Sequence, residues 1–304
     1  MISPPAALAH RAGHVWEQLA LPVAARRAGL LLSPANLAPL AYPRNVVVIH
    51  DSAPFREPSW YTRLYGAWHR TALPRIARRA RLVIAPSEHM RAELIELFAL
   101  PGHSVAAIAP GVDPSFSTPG DPQPLLRRHG IDRPYALAVG TDGPRKNLAL
   151  LDGIAPELAR NGLDVVIAGS SRPYLPQGGA GGRARRLGYV ADEDLPALYA
   201  GAAVFAMPSL YEGFGLPCLE AMAAGTPVVA ADRAALPEAC GGAALLADPG
   251  DPDAFAAALL RAAGAERDRL VAAGRERAAA LTWRRTAEEI DAALEPLLST
   301  RRRP

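Results

Sequence analysis

Short apolar runs rich in Val, Ile, Leu and Ala alternate with longer helical stretches along almost the whole chain. Within the runs, apolar and polar positions do not alternate, which is typical of strands that helices cover on both faces. Strands alternating with helices predict βαβ units and doubly wound parallel sheets in an α/β fold. The predicted strands lie in LLLSPA from Leu30, NVVVIHD from Asn45, RLVIAPS from Arg81, VAAIAPG from Val105, YALAVGT from Tyr135, DVVIAGS from Asp164, AAVFAMPS from Ala202, PVVAAD from Pro227 and AALLAD from Ala243.

One stretch without apolar periodicity, DPSFSTPGDPQP, divides the pattern and is dense in Pro, Gly, Ser and Asp. Such composition is expected of a connection between domains. The length of 304 residues also favours two domains, at roughly 150 residues per domain. We therefore predict an N-terminal domain over residues 1–112, a linker over 113–124, a C-terminal domain over 125–283, and a closing helix and tail over 284–304.

Composition narrows the class of protein without indicating its chemistry. Half of the residues are hydrophobic and 21% are charged, which excludes an intrinsically disordered chain. Two cysteines, Cys218 and Cys240, are too few for a disulfide framework and are expected to be small buried side chains. No apolar run is long enough to span a membrane, and the N-terminus lacks the basic and apolar regions of a secretory signal. A cytoplasmic protein is expected.

Positive charge is concentrated in the N-terminal part of the chain. Up to Gly111 there are 12 Arg and 6 acidic residues, and the Arg residues cluster between His69 and Arg81. Two interpretations stay open: a solvated helix face, or a surface for an anionic partner such as the inner face of a membrane. No nucleic-acid partner is expected.

The segment MPSLYEGFGLPCLEAMAAGTPVVAAD predicts a strand, a glycine loop, a helix and a buried strand. Gly213 and Gly215 leave backbone N–H groups bare where the helix begins, which suits an anion or a polyol. Glu212 enters the loop, and Glu220 follows inside the helix. Either glutamate alone has an ordinary explanation, as a charge complementing the helix dipole or as a solvated residue. Both glutamates together with two glycines favour a ligand site.

The segment LAVGTDGPRKNLALL predicts a second part of this site. A strand ends at Gly140, and Arg145, Lys146 and Asn147 are expected to open the next helix, where basic side chains suit a diphosphate. The alternative is a surface basic pair. Lys146 is the one Lys among 33 basic residues, so its retention favours a site that needs a compact point charge rather than an arginine fork.

A third candidate is His50, which the pattern places with Asp51 at the carboxyl end of a buried strand. Ligands of open α/β sheets bind at this edge. Adjacent strand residues point to opposite faces, so adjacency alone does not make the two side chains a dyad. A structural histidine is the alternative interpretation.

Seven segments together resemble glycosyltransferase family 4, whose members are retaining, nucleotide-sugar-dependent enzymes of the GT-B fold. The resemblance runs from about Ser33 to about Leu298, and the spacing of Glu212 and Glu220 matches the family's E-x7-E motif. The PRKN sequence is similar to a branch with many mannosyltransferases. The segments are VGTDGPRKN, LGYVADEDLPALYAGA, MPSLYEGFGLPCLEAMAAGTPVV and LPEACGGAALLADPGD, with VVVIHD, APSEHMRAEL and APGVDPSF in the N-terminal half.

The resemblance implies two Rossmann-like, doubly wound parallel-sheet domains that face a cleft. It also implies transfer of a hexose, with mannose favoured, from a GDP- or UDP-linked donor to a saccharide or lipid-linked acceptor in cell-surface polysaccharide or glycolipid synthesis. The nucleotide sugar is a substrate, and no cofactor is expected. Fixed cations and helix dipoles can stabilise a leaving diphosphate, so the resemblance implies a metal-independent reaction with no metal ligands.

Residue roles carry over by position. His50, Lys146 and Glu212 would be catalytic: His50 near the reacting sugar, Lys146 on the leaving diphosphate and Glu212 on the sugar hydroxyls. Tyr189 and Val190 would line the base pocket, and Glu220 would bind the ribose hydroxyls. The complete implied donor-binding set is Gly140, Thr141, Arg145, Lys146, Asn147, Tyr189, Val190, Glu212, Gly213, Phe214, Gly215, Leu216 and Glu220.

The first domain is expected to be incomplete. Members of the family usually open with a strand, a Gly-rich loop and a helix before the position of Ser33, whereas HRAGHVWEQLALP here predicts only a helix. Two explanations stay open: the true start lies upstream, or the chain is a degenerate copy. The second makes a non-catalytic nucleotide-sugar-binding remnant the alternative function, and a GT-B sugar-nucleotide epimerase is a weaker third interpretation.

Overall fold

A computed structural model describes residues 13–170 and 183–299, and the chain divides into two compact units. The first unit comprises Met1–Pro58, Arg63–Ala109 and Ala287–Pro304, and the second comprises Ser59–Thr62 and Pro110–Thr286.

The first unit contains a four-stranded, entirely parallel sheet. Its strand order is β1-β2-β3-β4, which follows the chain in one direction, as one half of a doubly wound sheet does. The strands are β1 (Leu31–Ser33), β2 (Asn45–Val48), β3 (Leu82–Ala85) and β4 (Val105–Ala107). The first helices are α1 (Gly13–Ala24), α2 (Ala53–Arg56), α3 (Arg63–Arg79) and α4 (Glu88–Phe98).

The second unit contains a six-stranded parallel sheet of order β10-β9-β8-β5-β6-β7. Its strands are β5 (Tyr135–Val139), β6 (Asp164–Ala168), β7 (Arg185–Gly188), β8 (Val204–Met207), β9 (Val228–Ala231) and β10 (Leu245–Ala247). Its helices are α5 (Gln123–Arg128), α6 (Leu148–Arg160), α7 (Leu195–Ala200), α8 (Leu216–Ala223), α9 (Leu236–Cys240), α10 (Pro252–Ala263) and α11 (Arg267–Ala279).

The last helix, α12 (Trp283–Ser299), begins in the second unit and continues in the first. Its later turns complete the hydrophobic core of the four-stranded sheet, because apolar side chains at helical spacing face the sheet. These side chains are Ile290, Ala293, Leu294 and Leu297, and they pack against Val46, Leu82, Ile84 and Ile108.

All nine predicted strands are present, and so is the helix predicted near the N-terminus. The sequence pattern missed β7, since its residues RRLG form no apolar run and it pairs only with β6 at the edge of the sheet. Cys218 and Cys240 are free and buried, as expected. In the described parts of the chain, no helix is both long and apolar enough to cross a membrane.

The boundary between the units falls between Ala109 and Pro110, three residues before the predicted one. The predicted linker, residues 113–124, lies wholly in the second unit. The physical reason is Phe116, which is buried in a 3₁₀ turn with its ring centroid 5.6 Å from that of Tyr199. An aromatic anchor ties this Pro- and Gly-rich stretch to the second unit.

The strand order of the larger sheet determines where a ligand can bind. From β5 the chain continues to β6 on one side, whereas β8 lies on the other side of β5. The carboxyl ends of β5 and β8 therefore form the topological switch point, the usual ligand position in open α/β sheets.

Candidate functional site

Three charged side chains from the loops after β5 and β8 meet at the switch point. Glu212 Oε1 lies 2.8 Å from Lys146 Nζ, and Glu212 Oε2 lies 2.7 Å from Arg145 Nη1. Arg145 Nη1 also donates a hydrogen bond of 3.1 Å to the Tyr211 carbonyl, and the Leu210 amide donates one of 2.9 Å to the Arg145 carbonyl. Backbone and side chains thus join the two loops.

This cluster is largely withdrawn from water, with Lys146 9% and Glu212 8% exposed. Burial alone would raise the pKa of Glu212, but the charges of Lys146 and Arg145 outweigh it and lower that pKa to about 2. Glu212 is therefore ionised at neutral pH. Two cations then face one carboxylate, which leaves a net positive charge at the switch point.

Gly140, the residue after β5, makes room for the lysine stem. A Cβ atom at Gly140 would lie 2.9 Å from Lys146 Cε, closer than real side chains approach. Gly169, the residue after β6, is held as closely, because its Cβ would lie 1.9 Å from the Gly140 carbonyl oxygen. These two glycines let the strand ends and the lysine pack without a gap.

The loop after β8 also needs a glycine where α8 begins. Gly215 has a φ of +119°, and a Cβ there would lie 2.6 Å from Leu236 Cδ2 in α9. Leu216 is the first residue of α8, and Pro217 follows in the first turn, where its missing N–H costs no hydrogen bond. Gly213 and Phe214, which precede them, are buried.

Glu220, in the second turn of α8, has a different environment. Its Oε2 accepts a hydrogen bond of 2.8 Å from the Tyr199 hydroxyl. Burial raises the pKa of Glu220, opposed by this hydrogen bond and by the more distant Lys146 charge. The Tyr199 phenol is fully buried, and its pKa is raised well above the usual value by burial and by Glu220.

A pocket of about 180 Å³ adjoins the charged cluster at the carboxyl ends of β5, β6 and β7. Gly140 lines this pocket and also lies against the stem of Lys146 in the cluster. The described residues that line it are Val139, Gly140, Thr141, Ala168, Gly169, Ser170, Tyr189, Val190, Asp192 and Leu195. The structure thus brings four predicted donor-binding residues, Gly140, Thr141, Tyr189 and Val190, into one pocket.

The basic segment PRKN differs locally from the prediction. Arg145 and Lys146 lie in a 3₁₀ turn, Pro144–Lys146, and not in the first turn of α6. Asn147 causes the break with a left-handed backbone (φ +51°), and α6 begins after it at Leu148. The Asn147 side chain donates a hydrogen bond of 3.2 Å to the Pro249 carbonyl.

His50 belongs to the first unit and is the second residue after β2. Its Nε2 lies 2.7 Å from the Pro34 carbonyl, and its amide donates to Asn36 Oδ1 at 2.6 Å. Asp51 instead accepts a hydrogen bond of 3.1 Å from the Ala53 amide. The two neighbours therefore make separate contacts, in agreement with the prediction that adjacency does not pair them.

Among the described residues, no group of three or more His, Cys, Asp or Glu side chains is arranged to hold a metal ion. Two Asp-x-Asp sequences occur, at 192–194 and 251–253. Asp251 caps α10 by accepting from the Ala254 amide at 3.0 Å, and Asp194 pairs with Arg128 at 3.0 Å. Asp251 and Asp194 therefore each have a local partner.

Sequence reasoning missed Tyr199 and Asp192 as site residues. Both lie in the segment LGYVADEDLPALYAGA, in which the resemblance assigns roles only to Tyr189 and Val190. Tyr199 lies in α7, and its partner Glu220 is 21 residues away in the chain. Asp192 follows the end of β7 by four residues, so its available signal was a polar side chain near the carboxyl end of a strand.

Two protein families match this chain, one mostly in the first unit and the other in the second. A family described as Glycosyltransferase Family 4 matches residues 28–116, and one described as Glycosyl transferases group 1 matches residues 133–264. O-antigen chain mannosyltransferase B of Escherichia coli is 36% identical over 231 residues, which are 72% of this chain and 61% of that protein. MMP alpha-(1->4)-mannosyltransferase of Mycolicibacterium hassiacum is 28% identical over 286 residues, covering 87% of this chain and 68% of that protein.

Among solved structures, sucrose-phosphate synthase from Thermosynechococcus elongatus is similar in fold, with a TM-score of 0.73 and 23% identity. The similarity covers 92% of this chain and 77% of that one. The chain therefore spans about three fifths of its Escherichia coli relative and about three quarters of this structure.

Proposed function

Because the chain belongs to glycosyltransferase family 4, with two parallel-sheet α/β domains of the GT-B type, we propose that it transfers a hexose from a nucleotide-diphosphate sugar to a saccharide or lipid-linked acceptor. The observation that carries the proposal is the positive cluster of Arg145, Lys146 and Glu212 beside the pocket at the switch point. A cation pair next to a pocket suits a diphosphate attached to a base.

In this proposal the base enters the pocket beside Tyr189 and Val190, and the diphosphate lies against Lys146 and Arg145. Negative charge grows on the diphosphate as the glycosidic bond breaks, so cations already held in place stabilise the leaving group. Glu212 keeps the two cations close together before the donor arrives. The N–H groups at the start of α8, four residues after Glu212, are proposed to add to the stabilisation of this charge.

Glu212 and Glu220 are proposed to hold the two sugars of the donor. Glu212, with the backbone of Gly213, Phe214 and Gly215, is proposed to accept hydrogen bonds from hexose hydroxyls. Glu220 is proposed to accept from the ribose, since its one described hydrogen bond, from Tyr199, uses only Oε2. Mannose is favoured because both curated relatives described above are named mannosyltransferases.

Donor binding is the direct test, by titration calorimetry with GDP-mannose and UDP-glucose. Lys146→Ala and Glu220→Ala should each weaken binding at least about tenfold, since each removes a charge-assisted contact. Arg133→Ala is the matched control: Arg133 pairs with Asp164 at 2.7 Å where β5 and β6 begin, at the opposite edge of the same sheet. Donor affinity unchanged by both site variants would refute the proposal.

Turnover is a separate measurement. Incubation with donor and a mannoside acceptor should give a glycoside whose anomeric configuration, read by NMR, matches that of the donor, and EDTA should not reduce the rate. An inverted product would refute retention, and loss of the rate with EDTA would refute metal independence. Binding without any product would favour the non-catalytic alternative, and donor interconversion without acceptor would favour an epimerase.

His50 is proposed to act on the reacting sugar. His50→Ala should lower kcat about a hundredfold with donor affinity unchanged, which is the pattern of an interaction made only in the transition state. An unchanged kcat would leave His50 a structural residue that bonds the Pro34 carbonyl.

A peripheral membrane contact is proposed for helix α3 in the first unit. Leu64 is 83% and Trp68 38% exposed, and Arg75, Arg78 and Arg79 follow on the exposed side of the same helix. Apolar anchors followed by arginines suit an anionic bilayer surface.

Liposome flotation tests this contact. The protein should float with liposomes containing 30% phosphatidylglycerol and not with pure phosphatidylcholine, and Arg75→Glu with Arg79→Glu should abolish flotation. Equal flotation with both lipids would refute an electrostatic contact.

A further inference from the structure

One buried carboxylate in the first unit has no part in the functions proposed above. Glu93 lies in the middle of α4 and is 5% exposed. The Ser52 hydroxyl donates a hydrogen bond to Glu93 Oε1. Glu93 Oε2 lies 3.1 Å from Arg56 Nε and 3.5 Å from His89 Nε2. Both oxygens therefore have described partners, and two of these partners come from the segment that follows β2.

Ser52 and Arg56 lie at the two ends of helix α2, which depends on other elements for its position. Its four residues are too few for a helix that is stable in water by itself. Ser52 is the N-terminal cap residue of α2, yet its side chain makes no capping hydrogen bond and donates to Glu93 instead. The Phe55 ring packs edge-on against the Phe98 ring of α4, with their centroids 5.0 Å apart. Helix α4 therefore holds α2 through a carboxylate and an aromatic contact.

A buried carboxylate is an inefficient means of stabilising a fold. Removing the charges from water offsets their attraction, so apolar side chains of similar volume are often as stabilising. The best attested use of such a buried charge is to fix one arrangement among several. The arrangement that Glu93 fixes begins at Ser52, two residues after His50, which is proposed to act on the reacting sugar.

His50 is held from the other side by the loop after β1. Its Nε2 lies 2.7 Å from the Pro34 carbonyl oxygen, and its amide donates to Asn36 Oδ1 at 2.6 Å. On its C-terminal side only two residues separate His50 from α2, so a shift of α2 is passed directly to the histidine. A displacement of about 1 Å at a reacting group can lower a rate about a hundredfold.

We propose that Glu93 is a positioning residue for the transfer reaction: it holds Ser52 and Arg56, and through them it fixes the orientation of His50. The inference rests on the proposed function, since His50 acts on the sugar only in that proposal. The described donor pocket and the charged cluster consist of residues of the second unit, whereas Glu93 and its partners belong to the first. Loss of Glu93 should therefore lower kcat and leave donor affinity unchanged.

The test compares Glu93→Gln with the wild-type full chain. Glutamine keeps an acceptor for Ser52 but loses the charge that holds Arg56. The variant should lower kcat about tenfold, keep donor affinity by calorimetry within about twofold, and raise amide hydrogen exchange over residues 50–56. In a His50→Ala background, Glu93→Gln should lower kcat no further, because Glu93 acts through His50. A merely structural role would add the same loss in both backgrounds.

Glu96→Gln is the matched control. Glu96 lies one turn later in α4, its side chain is 76% exposed, and its Oε2 is 3.8 Å from Arg56 Nη2. Exposed pairs of this kind contribute little, so kcat and exchange over residues 50–56 should stay at the wild-type values. Ser52→Ala serves as a second variant if Glu93→Gln does not fold. It should lower kcat about threefold and raise the same exchange, because one buried hydrogen bond is lost.

An unchanged kcat in both Glu93→Gln and Ser52→Ala would overturn the inference while the transferase activity stands. Equal losses from Glu93→Gln in the wild-type and His50→Ala backgrounds would overturn it as well. Absence of any product from the wild type would instead refute the proposed function. In that case hydrogen exchange over residues 50–56 decides the holding role by itself: a rise in Glu93→Gln supports it, and an unchanged value overturns it.

Discussion

Two glutamates of one short segment, Glu212 and Glu220, lie in opposite electrostatic environments. Glu212 contacts two cations, and its pKa is lowered to about 2 in spite of its burial. Glu220 contacts a neutral phenol, and burial raises its pKa. Only eight positions separate them, so the difference comes from what other elements bring to each carboxylate.

The two carboxylates are therefore suited to different tasks. Glu212 is permanently ionised and holds Arg145 and Lys146 together, which preorganises the positive charge that a diphosphate needs. Glu220 accepts a hydrogen bond without a fixed countercharge, which suits recognition of neutral hydroxyl groups. Substitutions at Glu212, Lys146, Gly140 and Glu220 test this contrast.

Glu212→Gln should give the largest loss of stability. The folded pKa of about 2 lies below the ordinary value of 4.5, so ionised Glu212 stabilises the folded state above that ordinary value. The contribution, roughly 3 kcal/mol at neutral pH, is lost as pH falls through the window from about 4.5 to about 2. Urea unfolding at pH 7 and pH 3 should show that the variant is much less stable than the wild type at pH 7, and that the difference at pH 3 is less than half as large. A gap of the same size at both pH values would contradict the ion-pair account.

Lys146→Met should destabilise the protein by about 2 kcal/mol at pH 7, because a buried carboxylate loses one of its two cations while Arg145 stays. Denaturant unfolding measures the loss. Arg133→Met is the control, since the Arg133–Asp164 pair is exposed and such pairs contribute under about 1 kcal/mol. Equal losses in the two variants would show that burial of the cluster has no energetic consequence.

Gly140→Ala should cost about 1 kcal/mol and weaken donor binding, since the new methyl group would displace the Lys146 stem. Gly153→Ala is the matched control. Gly153 lies in α6 with open space around its Cβ position, so alanine there should stabilise the protein by up to about 1 kcal/mol. Thermal unfolding of both variants should therefore shift in opposite directions, and a shared direction would contradict the packing account.

Glu220→Gln should produce the smallest change, in the opposite direction from Glu212→Gln. Because the folded pKa of Glu220 is raised, its contribution to stability is present at low pH and is lost as pH rises through that pKa. A neutral amide that still accepts from Tyr199 should therefore make the protein slightly more stable at pH 7, and the gain should vanish below about pH 4. A loss of stability at pH 7 would contradict the raised pKa of Glu220.

Much of the architecture could be predicted from local patterns. Apolar runs located nine of the ten strands in the described residues, and the glycines before α8 predicted where that helix begins. The pattern failed at β7, whose Arg-rich residues pair only at the sheet edge. It also failed at Asn147, whose left-handed backbone separates Arg145 and Lys146 from α6, because local helix signals do not report such a break.

The candidate site was predictable as a set of residues but not as a set of contacts. Glu212, Lys146 and Glu220 were singled out by residue type and spacing. Nothing in that spacing showed that Glu212 would pair with Arg145 across 67 positions, or that Tyr199 would donate to Glu220 across 21. Asp192 became a candidate site residue only because the structure places it on the wall of the pocket.

The sequence by itself determined the secondary structure, the two α/β units and the residue types available for chemistry, because periodicity, turns and helix ends are short-range effects. The tertiary structure decided which residues meet. That outcome depends on the strand order, which places the ends of β5 and β8 side by side at the switch point and the ends of β5, β6 and β7 around one pocket. Strand order arises from long-range packing, and no local pattern of apolar and polar residues encodes it.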